Sequence, residues 1–314
     1  MPKVRVNEDV ELAYESFGEG EPLLLIMGIG AQMVIWEDDF CRDLAARGFR
    51  VVRFDNRDVG ESTRLDKLPA PNIQKALQNR VLGRKVDAPY TLDDMASDTF
   101  GLMDALGIES AHVCGLSLGG MIAQCMALAR PSRVRSLAIM MSGPGELWAA
   151  VPTLSGLRAL IMRPTDTSRE GLIEHFVRSW SALGAHPHRT SHSRLRELAT
   201  VSFDRGMSGR GFARQFGAIM AAPPRTRLLR QLRVPTVIIH GAKDPLIPPI
   251  AGRLMASQIP GARLSVIQGL GHDLGPSAWK YAIAAVEENA RRKLAPNARR
   301  LGVLRAFTQK ALHI

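Results

Sequence analysis

The chain has 314 residues, 46% of them hydrophobic, and a formal net charge of +11. That hydrophobic share suffices for a sizeable core, but no apolar stretch reaches the about 18 residues of a membrane span, and Lys3 and Arg5 are followed by acids rather than by a signal-peptide run. Three cysteines leave at least one thiol unpaired, which predicts a reducing, cytoplasmic compartment.

Short runs of apolar and β-branched residues predict eight strands. They lie near residues 4–6, 11–15, 23–27, 50–54, 111–114, 134–140, 236–240 and 263–267. Helical spacing of apolar residues separates most of them, at 33–47, 91–106, 118–130, 250–258 and 277–292. This alternation predicts an α/β fold, in which helices cover both faces of a mostly parallel eight-stranded sheet. The first two strands are close in sequence, so we expect an antiparallel edge.

The alternation is interrupted between the sixth and seventh strands by a long segment with helix-like spacing. We therefore predict a catalytic core of residues 1–143 and 226–290, a helical cap insertion at 144–225 and a basic C-terminal tail at 291–314. Four large apolar residues of the cap either line a pocket for an apolar acyl or alcohol group or simply pack. They are Trp148, Phe176, Trp180 and Met220, of which the two tryptophans are our substrate-binding candidates.

The most informative stretch is Gly115-Leu116-Ser117-Leu118-Gly119, which follows the strand at 111–114 and opens a helix. A serine at such a sharp strand–turn–helix needs glycines on both sides, because neighbouring elements pass too close for a Cβ. This pattern predicts that Ser117 is a nucleophile.

A serine hydroxyl is a weak nucleophile near neutral pH, so this prediction requires a histidine base and an acid that orients it. Asp244 follows the strand at 236–240, and His272 lies in a glycine-rich loop after the last strand. The carboxyl ends of parallel strands are where open α/β sheets place their sites. We predict Asp244 as the acid and His272 as the base; Asp273 is disfavoured because adjacent side chains point apart.

The tetrahedral intermediate of such a reaction needs two backbone N–H donors. One is the amide of Leu118, the residue after the nucleophile. The other is predicted to be the amide of Ile29, since Gly28 and Gly30 let the loop after the strand at 23–27 fold over the serine. Gly28 is therefore also a substrate-binding candidate.

On these motifs the chain resembles α/β-hydrolases of the serine esterase and lipase type, and it is similar to actinobacterial carboxylesterases and polyketide methylesterases, over roughly residues 10–290. Residues 53–62 are similar to the family's Asp-x-Arg-Gly-x-Gly-x-Ser turn, and residues 90–96 resemble the start of the helix before the elbow strand. Met27 stands at a position where many members carry His. The polyketide methylesterase branch similarly has Met at this position. We expect hydrolysis of a small carboxylic or thiol ester with an apolar group, through an acyl-enzyme on Ser117.

Other activities remain open. The same fold and triad serve C–C bond hydrolases, perhydrolases and thioesterases, and a slow-turnover protein that binds a small apolar ligand would also fit. Dehalogenase and epoxide hydrolase are disfavoured because they need a carboxylate at position 117. The sequence lacks the common zinc and P-loop motifs and a complete dinucleotide fingerprint, so we expect neither a metal nor a cofactor.

The positive charge is concentrated in two places. Residues 144–225 carry a net charge of +5 and residues 290–314 a net charge of +7, which leaves −1 for the rest. Apolar residues occupy about half of a helical wheel in the tail, so it is predicted either to contact an anionic membrane surface or to form a docked terminal helix. Nucleic-acid binding is disfavoured because no recognised binding motif accompanies the charge.

Overall fold

In the computed structural model, which describes residues 1–292, eight strands form a single sheet. Their order is β1-β2-β4-β3-β5-β6-β7-β8. The strands are β1 (Lys3–Arg5), β2 (Glu11–Phe17), β3 (Glu21–Ile26), β4 (Phe49–Phe54), β5 (Ala111–Leu116), β6 (Val134–Met140), β7 (Thr236–Gly241) and β8 (Arg263–Ile267). Strand β2 pairs antiparallel with both β1 and β4, and all other pairs are parallel. The predicted mostly parallel sheet with an antiparallel edge is confirmed.

Helices flank both faces of the sheet, and further helices lie in the connection between β6 and β7. They are α1 (Asp38–Ala45), α2 (Ile73–Val81), α3 (Leu92–Ala105), α4 (Leu118–Ala129), α5 (Leu154–Ile161), α6 (Arg169–Leu183), α7 (His192–Arg205), α8 (Gly209–Ala221), α9 (Thr226–Leu229), α10 (Pro249–Gln258) and α11 (Pro276–Ala290). Successive strand residues point to opposite faces, so Leu24 and Ile26 pack with α3, α4 and α10, whereas Leu23 and Leu25 pack with α1 and α11. The sheet is therefore buried on both sides, which explains its nearly continuous apolar runs.

The helix predicted over residues 33–47 is wrong in its extent. The chain instead forms a short 3₁₀ turn, Met33–Ile35, followed by α1. A tertiary hydrogen bond explains the break: the Trp36 carbonyl accepts from the side chain of Arg53. This carbonyl is bonded to another part of the protein and not to the amide of Phe40, which would be its partner in a continuous helix.

Residues 144–225, which we call the β6–β7 helical segment, contain α5 to α8. Helices α6 and α7 pack on each other around a small apolar cluster centred on Ile173, Phe176 and Leu195. Arg214 on α8 forms an ion pair with Asp58 at 2.6 Å, and both side chains are fully buried. Removing either partner would leave an uncompensated buried charge, so this pair fixes α8 against the turn that follows β4.

The predicted basic C-terminal tail, residues 291–314, lies largely outside the described residues. From residue 293 onwards the chain, and with it the predicted membrane contact of the basic tail, lies outside the described residues. Among the helices of residues 1–292, none combines the length and the apolar character that crossing a bilayer requires. The three cysteines are buried and unpaired, and burial raises the pKa of Cys41 and of Cys125 to about 12, so these thiols act as packing groups.

Candidate functional site

Ser117 occupies a strained turn between β5 and α4, with φ of 54° and ψ of −117°. A Cβ on Gly115 would overlap the carbonyl of Gly119, and a Cβ on Gly119 would overlap the carbonyl of Ile26. The glycines are therefore required by close backbone approach, as the spacing predicted. The hydroxyl of Ser142, just after β6, donates to the Ser117 carbonyl at 2.7 Å and supports the turn from behind.

Asp244 and His272 are joined by a short hydrogen bond. The distance from His272 Nδ1 to Asp244 Oδ2 is 2.7 Å, and the two residues are each 4% exposed. The other oxygen, Asp244 Oδ1, accepts from the amides of Leu246 and Ile247 at 2.9 Å each. The carboxylate is thus fixed by the backbone, and with Nδ1–H donated to it, Nε2 is the acceptor of the ring.

Ser117, Asp244 and His272 follow β5, β7 and β8, which run parallel in one continuous part of the sheet. Their loops therefore meet at one edge, where the strands end. Asp273, the alternative acid, has a different partner: its Oδ2 accepts from the amide and the hydroxyl of Thr190, at 2.9 and 3.0 Å.

His240, fully buried on β7, lies close to the same carboxylate. Its Nε2 is 2.8 Å from the Ile247 carbonyl and 3.5 Å from Asp244 Oδ2. Burial lowers the pKa of His240, so the ring is neutral near pH 7 and adds no positive charge beside Asp244. In the sequence, this contact between His240 and Asp244 is indicated only by their separation of four residues.

The loop predicted to supply an oxyanion donor lies against the nucleophile. A Cβ built on Gly28 would be 3.3 Å from the Ser117 Cβ. Within residues 1–292, neither the Ile29 amide nor the Leu118 amide donates to a protein acceptor. For Leu118 this follows from its place at the start of α4, where an amide has no intrahelical partner. Within residues 1–292, the amide of Ile29, next to Gly28, and that of Leu118, next to Ser117, are thus both without a protein acceptor.

Gln215 on α8 is a residue that the sequence analysis missed. Its Oε1 accepts from the Gly30 amide at 2.8 Å, and its Nε2 donates to the Arg57 carbonyl at 2.9 Å. The side chain is fully buried, and Phe212, one turn earlier on α8, packs so closely on Gly30 that a Cβ there would be 2.7 Å from its ring. No motif marks Gln215, because its partners are far away in sequence.

The Asp58 carboxylate is the centre of a polar network behind this loop. Besides Arg214, it accepts from the Leu65 amide at 2.9 Å and from the Tyr90 hydroxyl at 2.8 Å. Burial opposes ionisation of Asp58, but these hydrogen bonds outweigh it and hold its pKa below the ordinary value. Asp58 is therefore ionised near pH 7 and fixes the turn that runs beside the site.

A small cavity of about 20 Å³ lies next to the loops that carry Gly28, Ser117 and His272. Its lining includes Met27, Leu116 and Asp273. In the sequence these residues are adjacent to Gly28, Ser117 and His272, respectively. Trp180 also lines it, whereas Trp148 is 60% exposed at the surface and lies outside this lining.

The two other apolar candidates of the segment are packing residues. Phe176 stacks on Trp180 with ring centroids 5.3 Å apart, and Met220 packs against a separate cluster that contains Phe216. In the part of the chain that the structure describes, no group of three or more His, Cys, Asp or Glu side chains is arranged to hold a metal ion.

Comparison with known proteins gives clear sequence relatives. Residues 21–276 match the family model described as the alpha/beta hydrolase fold. The chain is 32% identical to rhodomycin D methylesterase DauP of Streptomyces sp. (strain C5), with 91% of this chain and 97% of the relative covered. It is 28% identical to 2-hydroxy-6-oxononadienedioate/2-hydroxy-6-oxononatrienedioate hydrolase 2 of Pseudomonas putida, with 89% and 91% covered.

Solved structures agree on the fold. The enol-lactonase from Burkholderia xenovorans LB400 matches with a TM-score of 0.67 and 22% identity, and 91% of this chain and 98% of that chain are covered. The 2-hydroxy-6-oxo-6-phenylhexa-2,4-dienoate hydrolase from Rhodococcus sp. strain RHA1 matches with a TM-score of 0.70 and 19% identity, over 92% and 98%.

Proposed function

The chain belongs to the α/β-hydrolase fold family and is a hydrolase, and from that premise we propose that it cleaves carboxylic esters through an acyl-enzyme on Ser117. The observation that carries this proposal is the 2.7 Å hydrogen bond between His272 and Asp244 at the sheet edge where Ser117 sits on its strained turn. Nucleophile, base and orienting acid are the three roles that acyl transfer by a serine requires.

In the proposed acylation, His272 Nε2 takes the proton of Ser117 Oγ as this oxygen attacks the ester carbonyl carbon. Asp244 stabilises the resulting imidazolium through its hydrogen bond to Nδ1. The amides of Ile29 and Leu118 donate to the oxyanion, and the fact that neither has a protein acceptor among residues 1–292 supports this role. When the intermediate collapses, the C–O bond to the alcohol breaks and His272 returns its proton to the leaving alkoxide.

Deacylation repeats these steps with water. His272 Nε2 removes a proton from a water molecule that attacks the acyl carbon, and the same two amides stabilise the second oxyanion. Breakdown of this intermediate releases the carboxylic acid and returns the proton to Ser117 Oγ. Both steps use the same atoms, so a single arrangement of the site serves the whole cycle.

We propose a methyl ester as the substrate, because two relatives that are 32% and 31% identical to this chain are named rhodomycin D methylesterases. The proposal includes the division into a core, residues 1–143 and 226–290, and a cap, residues 144–225. Two hydrogen bonds support the covering role of the cap: the His272 amide donates to the Leu183 carbonyl at 2.8 Å, and Gln215 accepts from the Gly30 amide at 2.8 Å. Three buried unpaired thiols support a reducing, cytoplasmic location.

The test is hydrolysis of methyl and p-nitrophenyl esters by wild type and Ser117→Ala, with fluorophosphonate labelling of both. Loss of one triad member costs about 10⁴–10⁶-fold in kcat, so Ser117→Ala should fall to background and lose the label. Ser257→Ala, at an exposed serine outside the site, is the matched control and should keep both. Labelling without ester turnover would indicate another substrate class, such as the C–C bond substrates of the Pseudomonas putida relative, or a binding protein. Turnover that survives in Ser117→Ala would refute the mechanism.

A further inference from the structure

His240, the residue before the last of β7, is a buried histidine to which the proposed mechanism gives no role. The residues before it in the strand, Val237, Ile238 and Ile239, are apolar, as expected for a strand that is covered on both faces. The imidazole of His240 is fully buried among them. A buried polar ring costs free energy unless it is hydrogen-bonded, so the partners of His240 indicate why it is there.

The hydrogen bond to the Ile247 carbonyl, at 2.8 Å, determines which nitrogen of the neutral His240 ring carries the proton. A carbonyl oxygen only accepts, so Nε2 is the donor and Nδ1 is unprotonated. On the Nδ1 side, α10 packs directly on the ring, because a Cβ built on Gly252 would be 2.7 Å from Nδ1. The ring is therefore held between α10 and the loop that follows β7, with its Nε2–H directed at that loop.

Ile247 connects this donor to the acid of the proposed triad. Its carbonyl accepts from His240, and its amide donates to Asp244 Oδ1 at 2.9 Å. The Leu246 amide donates to the same oxygen at 2.9 Å. Because Oδ1 accepts from both amides, Oδ2 remains for His272 Nδ1 at 2.7 Å. The orientation of the carboxylate therefore depends on where Ile247 is held.

The charge of the His240 ring matters as much as its position. Its Nε2 lies 3.5 Å from Asp244 Oδ2, the oxygen to which His272 donates. A charged ring there would compete with His272 for the carboxylate and would repel the imidazolium that forms during acylation. Burial lowers the pKa of His240, and the titratable groups that act on the ring are Asp244 and His272. His240 thus supplies a hydrogen-bond donor beside the triad without adding a charge.

We propose that His240 is a positioning residue for the acid of the triad. Its Nε2–H fixes Ile247, which in turn keeps the Asp244 carboxylate in the orientation that His272 requires. The inference rests on the proposed ester hydrolysis at Ser117 and adds a residue that touches neither the substrate nor the reacting atoms.

The test compares a variant that lacks the donor with one that retains it. His240→Leu has no hydrogen-bond donor, so the loop after β7 loses its anchor and kcat should fall by about 10- to 100-fold, the cost of a misplaced catalytic group. KM should stay within about threefold of wild type, because the acid does not bind the substrate. The rate of fluorophosphonate labelling at Ser117 should fall by the same factor as kcat. His240→Gln retains an N–H that can reach the Ile247 carbonyl, so it should recover most of both rates.

His112 on β5 provides the matched control. It is also a buried strand histidine with one side-chain hydrogen bond, from Nδ1 to Ser136 Oγ at 2.8 Å. It lies near the amino end of β5, whereas Ser117 follows the carboxyl end of this strand. His112→Leu should therefore lose stability in urea unfolding but keep the wild-type kcat and labelling rate.

Two NMR signals report on the arrangement without any turnover. In wild type with ¹⁵N-labelled histidine, His240 should appear as the Nε2–H tautomer, assigned by the loss of its signals in His240→Gln. This measurement needs only folded wild type, so it tests the first hydrogen bond even if His240→Leu does not fold. The proton between His272 Nδ1 and Asp244 should give a far-downfield ¹H signal, which His112→Leu should keep and His240→Leu should shift or lose.

Three results would overturn the positioning role and leave ester hydrolysis intact. They are an Nδ1–H tautomer of His240 in wild type, wild-type kcat and labelling in His240→Leu, and equal losses of kcat in His240→Leu and His240→Gln. A loss of kcat in His112→Leu as large as that in His240→Leu would also overturn it, because the effect would then be general destabilisation. Wild type that neither hydrolyses esters nor takes the label on Ser117 would instead refute the proposed function itself.

Discussion

The hydrogen bonds of Gln215 predict that α8 positions the loop of residues 28–30, the proposed oxyanion loop. Gln215→Met removes the acceptor of the Gly30 amide and the donor to the Arg57 carbonyl, both of which are buried contacts of 2.8–2.9 Å. Two unpaired backbone groups at about 1–3 kcal/mol each predict a loss of stability of roughly 2–6 kcal/mol. If the released loop also withdraws the Ile29 amide, kcat should fall by about 10²–10³-fold, the cost of one oxyanion donor.

A matched control separates positioning from simple destabilisation. Gln124 on α4 is also a fully buried glutamine, and it donates to the Gly143 carbonyl at 3.2 Å and accepts from Arg225 at 3.2 Å. Gln124→Met should therefore destabilise the protein to a similar degree, yet kcat should stay within about threefold of wild type. Gln215→Glu keeps an acceptor for the Gly30 amide, so its kcat should lie between those of wild type and Gln215→Met.

The assay is ester hydrolysis under conditions where all variants are folded, with kcat and KM determined separately, and urea unfolding for stability. A positioning role predicts a change in kcat with little change in KM, because the oxyanion forms only in the transition state. If Gln215→Met and Gln124→Met lost stability equally and both retained kcat, the proposed connection between α8 and the oxyanion loop would be refuted.

Two further predictions concern residues beside Ser117 and His272. Gly28→Ala places a Cβ 3.3 Å from the Ser117 Cβ, so the loop or the serine must shift by a few tenths of an ångström; we expect a folded protein with kcat lowered roughly tenfold, and an unchanged kcat would contradict this contact. Burial raises the pKa of Asp273, so its ionisation costs stability as the pH rises from the unfolded value of about 3.9 through the raised folded value. Asp273→Asn lacks this cost, and its stability relative to wild type should therefore increase as the pH rises above about 4 in urea unfolding; a difference that is independent of pH would argue against a raised pKa.

Features that depend on local sequence were predictable. A buried parallel strand needs a continuous apolar run, and a serine on a sharp turn needs glycines at fixed positions. The eight strands and the elbow around Ser117 were found for these reasons. Their physical basis is the backbone: the conformation of a turn or strand is decided by residues within a few positions of it.

Features that depend on distant partners were not predictable. The helix expected over residues 33–47 is broken where the Trp36 carbonyl accepts a hydrogen bond from Arg53. The sequence could not tell which tryptophan lies at the cavity, and the structure places Trp180 in its lining while Trp148 remains exposed.

The sequence by itself therefore determined the class of fold, the serine at the elbow and the order of the candidate triad along the chain. Only the tertiary structure decided that His272 bonds to Asp244, that Asp273 turns to Thr190, and that Gln215 reaches the Gly30 amide across 185 positions of sequence. The reason is geometric. A single sequence records spacing along the chain, whereas a hydrogen bond depends on distance and direction in space, which are fixed only when helices and strands pack.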